Sequence, residues 1–174
     1  EDMKERATSV YLPDLKVRML PENISDNALS LLKGQERLAF TFLLRLDREG
    51  NLVSRRLTSS KIRVTERFDY DQVDALVASG DPYWSEFGQL AQKLMKLREA
   101  KGALNLPFPR MEVKLEDNGA IRLVPDERDS VAQTIVSEAM IMANRVAADY
   151  AAEPGLPVIY RGQKAPEPPV ESRA

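Results

Sequence analysis

Residues Thr8 to Ser25 read T-S-V-Y-L-P-D-L-K-V-R-M-L-P-E-N-I-S, with two prolines eight residues apart. Each proline fixes its own φ and pushes the residue before it out of the helical region, so no continuous helix can run through the stretch. The path must be extended and punctuated by turns, and the rest of the chain has to be arranged around it. Thr8 to Leu12 combines β-branched and aromatic residues and predicts a short strand closed by Pro13-Asp14, while Met19-Leu20-Pro21 predicts a second extended segment. Ahead of this ribbon, E-D-M-K-E-R-A carries no N-cap signal. It reads as the last turns of a helix whose beginning lies elsewhere, and the expectation is that the chain is part of something longer.

Several chemistries are excluded by what is missing. The 174 residues contain no cysteine and no histidine. Disulfides, thiolate nucleophiles and zinc-thiolate sites therefore drop out, and so do Ser-His-Asp and Cys-His arrangements, leaving carboxylates, lysine, tyrosine or a metal as the available catalysts. Twenty-five basic residues stand against 27 acidic ones, for a net charge of -2. Nothing global draws this chain to phosphate, so nucleic-acid binding would have to use local patches or supplementary domains. With 43% hydrophobic residues the length suits one domain. No apolar run reaches the roughly 18 to 20 residues of a membrane span and no signal-peptide pattern opens the chain, so cytoplasm is the default expectation.

Periodicity organises the remainder. Ser25 to Leu32 predicts a short helix with Ser25 as N-cap, ended by Gly34. From Arg37 to Leu46, the alternating Leu38, Phe40, Phe42, Leu44 and Leu46 share one face of a strand. Asp47 to Asn51 makes the turn, and Leu52 to about Val64 returns with Val53, Leu57, Ile62 and Val64 as its apolar members. D-Y-D-Q-V-D-A-L-V from Asp69 predicts a helix ended by Gly80-Asp81-Pro82, and Phe87, Leu90, Ala91, Leu94 and Leu97 form the apolar stripe of the next one. Asn105 to Pro109 is a rigid connector to a second hairpin, Met111 to Leu115 and Ala120 to Val124, turned at Asp117-Asn118-Gly119. A long helix from Ser130 places Ala132, Ile135, Val136, Ala139, Met142, Ala143, Val146, Ala147 and Tyr150 on one face, which predicts a central buried element. Pro157 to Arg161 predicts a last short strand, and a proline-rich polar tail follows. The fold class is α+β: antiparallel hairpins packed against helices.

Two local clusters have alternative readings. Asp69, Asp71 and Asp74 imitate a metal site, yet the same spacing suits a helix N-terminus, where acidic side chains meet unpaired amides. Arg55, Arg56, Lys61, Arg63 and Arg67 form the densest basic stretch. They suit either phosphate contact or a solvated strand face. No catalytic constellation can be assembled from the chain's own residues, and no glycine-rich phosphate cradle is present.

Taken together, R-A-T-S-V-Y-L-P-D (Arg6 to Asp14), M-L-P-E-N-I-S (Met19 to Ser25), S-L-L-K-G-Q-E-R-L-A-F (Ser30 to Phe40), the helix start at Tyr70, K-G-A-L (Lys101 to Leu104), V-S-E-A-M-I-M-A-N (Val136 to Asn144) and I-Y-R (Ile159 to Arg161) resemble the middle of the RNB catalytic domain of the ribonuclease II and ribonuclease R exoribonucleases. The resemblance implies a partial RNB domain over residues 1–161 and a tail or linker over residues 162–174. It implies a parent enzyme that degrades single-stranded RNA from the 3′ end to nucleoside 5′-monophosphates with magnesium, and that carries small OB-type RNA-binding domains. The family's D-x-D-D metal motif and its downstream T-S-P-I-R-R-Y type motif do not occur here, so no catalytic or metal-binding residue is expected in this chain, and the chain alone is expected to hydrolyse nothing. Tyr11 resembles the family tyrosine that packs on nucleotides near the 3′ end, against the plainer reading of an aromatic filling the core. Phe108 is the one aromatic in the region of the family's second stacking ring, although a gap-free match places Asn105 there. Expected partners are single-stranded RNA and the remaining segments of the parent. The alternative from a different class is a stand-alone, non-catalytic RNA-binding or protein-interaction module built on the same scaffold.

Overall fold

The computed structural model describes residues 2–12, 15–105, 110–116, 119–126 and 130–162. The order is α1 (Asp2–Arg6), β1 (Val10–Tyr11), β2 (Lys16–Val17), a π-helical turn (Asn23–Ala28), β3 (Glu36–Leu46), β4 (Leu52–Arg63), α2 (Tyr70–Ala78), α3 (Pro82–Glu99), β5 (Arg110–Leu115), β6 (Ile121–Asp126) and α4 (Val131–Ala152). The six strands form three separate antiparallel ribbons, β1–β2, β3–β4 and β5–β6. This is the expected α+β architecture.

The three helices α2, α3 and α4 pack on one another, and the buried apolar side chains Val73, Ala91, Leu94, Ala132, Val146 and Ala151 all belong to them. Local chemistry explains their starts. Asp69 and Gln72 form a reciprocal capping box, with the Gln72 amide donating to Asp69 Oδ1 at 2.8 Å and Gln72 Oε1 accepting from the Asp69 amide at 2.9 Å. Asp81 accepts from the Trp84 amide at 3.0 Å and Pro82 occupies the first helical position. Pro82 therefore begins α3, because the first turn has no use for its missing N–H. Close approach matters where α3 meets the start of α4: a Cβ on the buried Gly88 would lie 2.9 Å from Val131 Cγ1.

The long hairpin matches expectation in its strands and its turn. Phe42 pairs with Leu57, Thr41 with Thr58, and the register slips only between Arg45 and Leu46. Asp47 stabilises the turn by accepting from the amides of Glu49 at 3.0 Å and Asn51 at 2.7 Å. Gly50, at φ 91°, sits in the left-handed region that favours glycine, and a Cβ there would touch Leu97. The tip is tied to the helices by Lys93 Nζ donating to the Arg48 carbonyl at 3.2 Å, and by Arg55 pairing with Glu153 and, at 3.7 Å, with Asp149.

Cover along this hairpin changes from tip to base. Leu38, Phe40, Phe42, Leu44 and Leu46 alternate along β3 as expected, but their exposure is uneven: Leu38 is 89% exposed and Phe40 60% exposed, while Phe42, Leu44 and Leu46 are partly covered. In the base half the partly covered positions are instead Arg37, Ala39 and Thr41 on β3 and Thr58, Ser60 and Ile62 on β4.

Three corrections follow. The helix expected at Ser25 to Leu32 is the π-helical turn Asn23–Ala28; Ser25 lies inside it, its Oγ donating to the Pro21 carbonyl at 3.3 Å instead of capping. Pro157 to Arg161 forms no strand among the described residues, and Ile159 is fully exposed. A strand needs a partner, and among the described residues none pairs with it. Finally, α4 is less buried than its apolar face predicts: Val136 and Tyr150 are exposed, whereas Glu138, a carboxylate, is 4% exposed. The second hairpin agrees in its pairing, with Val113 opposite Leu123 and Leu115 opposite Ile121. The residues from Gln163 onward lie outside the described residues.

Candidate nucleic-acid interface

Tyr11 closes β1 and pairs directly with Lys16 on β2. The Leu12 amide donates to the Leu15 carbonyl at 2.8 Å; Pro13 and Asp14 between them lie outside the described residues. With 71% of its surface in solvent, Tyr11 fills no core. Lys16 Nζ stands 5.3 Å from its ring centroid, within cation–π range.

The ribbon that presents this ring is braced from both sides. Ser9 Oγ accepts from the Met19 amide at 3.0 Å, and Arg6 Nη1 donates to the Arg18 carbonyl at 2.9 Å. The Arg18 guanidinium forms an ion pair with Asp26 and lies 3.9 Å from Glu22. Hydrogen bonding to Arg18 holds the Asp26 carboxyl below its usual range, and the same bond raises Arg18. Asp26 also accepts from Ser25 Oγ at 3.0 Å, so the π-helical turn is fastened to the segment after β2 by a charged hydrogen-bond network.

The other residues of interest divide clearly. Phe108 lies outside the described residues. Asn105, its competitor, is exposed and donates from Nδ2 to Met95 Sδ at 3.7 Å. The acidic triad at α2 does not converge. Asp69 caps α2, while Asp74 Oδ1 accepts from the Ala132 amide at 2.8 Å and so caps the N-terminus of α4 across the helix layer. Among the described residues no group of three or more His, Cys, Asp or Glu side chains could hold a metal ion. The basic stretch is largely spent on local pairs: Lys61 and Arg63 both bind Glu36, pulling its carboxyl below the usual range, with Lys61 the larger cause, and Arg55 binds α4. A cavity of about 310 Å³ between the β3–β4 tip and the α3–α4 seam is lined by Arg98, Lys101, Glu138 and Arg145, among others. Its buried carboxylate is engaged by Arg98, whose Nε donates to both oxygens at 3.0 and 3.2 Å.

A model of the RNB domain matches residues 1–171. The chain belongs to the RNB domain family. An uncharacterized ribonuclease of Synechocystis sp. is 31% identical over 171 residues, covering 97% of this chain and 26% of the relative. Ribonuclease R of Thermotoga maritima is 30% identical over 174 residues, covering 94% of this chain and 24% of the relative. This RNB segment thus spans about a quarter of the length of the curated relatives it matches. In fold it is similar to Mycoplasma genitalium RNase R in complex with ribose-methylated single-stranded RNA, with a TM-score of 0.83 and 22% identity, covering 95% of this chain and 27% of that one. No helix among the described residues of this RNB chain is long and apolar enough to cross a membrane.

Two features of the interface are invisible to sequence reasoning. The pairing of Lys16 with Tyr11 emerges only once the turn between β1 and β2 closes, since the lysine belongs to no motif. Asp74 reads as part of an acidic helix start, and its partner amide lies 58 residues away.

Proposed function

We propose that the protein carrying this chain is a 3′-to-5′ exoribonuclease that degrades single-stranded RNA to nucleoside 5′-monophosphates, and that this chain supplies part of its RNA-binding scaffold. The observation that carries the reading is the RNB match across residues 1–171, joined to relatives that bear ribonuclease names. The exposure of Tyr11 supports a stacking role over a packing role, because an aromatic face accepts any base and suits an enzyme that must pass along every sequence. Phe108 is the proposed second ring of that stack.

Hydrolysis in this reading depends on magnesium. The family's aspartate motif does not occur in residues 1–174, and the metal ligands, and with them the hydrolytic centre, are assigned to segments of the parent outside this chain. Further segments of the parent are the proposed cover for apolar surface such as Leu38, Phe40, Ile121 and Leu123, all more than half exposed.

Tyr11→Ala in the full-length protein tests the assignment. The variant should still degrade single-stranded RNA but leave a residual oligonucleotide of altered length. End products of unchanged length would remove Tyr11 from the interface. A full-length protein that binds RNA without shortening it would favour the non-catalytic module.

A further inference from the structure

Lys16 faces Tyr11 across the β1–β2 ribbon, and its ammonium is poorly neutralised. Asp26 is the one carboxylate paired with it among the described residues, at 3.9 Å, beyond hydrogen-bond length. That carboxylate is already engaged by the Arg18 guanidinium and by Ser25 Oγ. The lysine side chain is 42% exposed, and an ammonium brings three donors to the surface beside the ring. Its cation–π contact is of the exposed kind, which is weak enough to be exchanged for a full negative charge.

The ammonium stands over one face of the Tyr11 ring, so a base stacked on the opposite face carries its backbone past the ring edge, within reach of the ammonium once the lysine gives up that contact. We infer that Lys16 binds a backbone phosphate of the nucleotide whose base lies on Tyr11, so that the two cross-strand residues form one nucleotide subsite. The inference rests on the reading of Tyr11 as a stacking platform. Both halves of such a subsite ignore sequence: the ring reads no base edge, and the ammonium reads only charge. Arg18, two residues further on, does not compete for the role, because its guanidinium is hydrogen-bonded to Asp26.

The test uses the full-length protein, a fluorescein-labelled oligoadenylate and excess EDTA to stop hydrolysis, with affinity read by anisotropy between about 50 and 200 mM KCl. Lys16→Gln should make the plot of log affinity against log salt shallower by about 0.7, the contribution of one phosphate contact on a single strand, and Lys16→Arg should keep the wild-type slope. Tyr11→Ala should weaken binding by roughly fivefold or more at every salt concentration with its slope unchanged. If Lys16 merely props the ring, Lys16→Gln weakens binding equally at all salt concentrations, and that parallel shift overturns the inference while leaving the stacking reading intact. A Tyr11→Ala variant that binds like the wild type overturns the stacking reading, and the shared subsite with it.

Discussion

Removing the guanidinium of Arg98 should cost far more stability than neutralising its partner, Glu138. The pair bridges α3 and α4 through a two-pronged contact, with Arg98 Nε donating at 3.0 and 3.2 Å and Nη2 donating to Oε1 as well. Its two ends are unequally solvated: the Glu138 side chain is 4% exposed and that of Arg98 35%. Arg98→Met strands a carboxylate away from water, and breaking a buried pair from that side costs about 3–5 kcal/mol. Glu138→Gln keeps an acceptor for Arg98, whose head can also turn toward solvent, so about 1–2 kcal/mol is expected. Replacing both together, Arg98→Met with Glu138→Leu, removes the stranded charge and should recover most of the larger loss. Urea unfolding of the 174-residue chain reads these values through the fluorescence of Trp84, the single tryptophan, which packs against Phe68 at 5.3 Å in the helix layer. With a slope of roughly 2 kcal/mol per molar urea, a loss of about 4 kcal/mol lowers the midpoint by about 2 M. A Glu138→Gln variant as unstable as Arg98→Met would refute the reasoning, because the cost would then not lie in an unpaired carboxylate.

Two further perturbations test the framework around the interface. Asp74→Ala deprives the Ala132 amide of its acceptor and should cost about 1–2 kcal/mol, the usual value of a helix cap, with Asp74→Asn recovering most of it in the same urea titration. Asp26, Glu36 and Asp47 are all held below the ordinary carboxylate range, by Arg18, Lys61 and Asn51 respectively. Lowered folded-state values mean that their stabilisation is complete above the unfolded pKa of about 4 and is lost as pH falls through the folded values. The thermal midpoint should therefore hold between neutrality and about pH 5 and decline below about pH 4, and Glu36→Gln should make that decline shallower.

How far the sequence could be read depended on whether the deciding partner was local. The β3–β4 hairpin was legible because its alternation and its Asp47–Asn51 turn are contiguous, and the caps at Asp69 and Ser130 sit within a turn of the helices they start. Gly80-Asp81-Pro82 ends α2 as its sequence predicts, and the same proline begins α3, with Asp81 accepting from the Trp84 amide. Burial of Glu138 depends on a partner far away in the chain, Arg98 forty residues before it. At the interface, motif resemblance singled out Tyr11, while the lysine over its ring had to wait for the strand pairing.

The central claim meets its most direct test in the full-length protein, given a 5′-labelled single-stranded RNA with magnesium. The account predicts labelled products that shorten progressively from the 3′ end, accompanied by free nucleoside 5′-monophosphates. Intact RNA, or internal cuts without mononucleotide release, would contradict it.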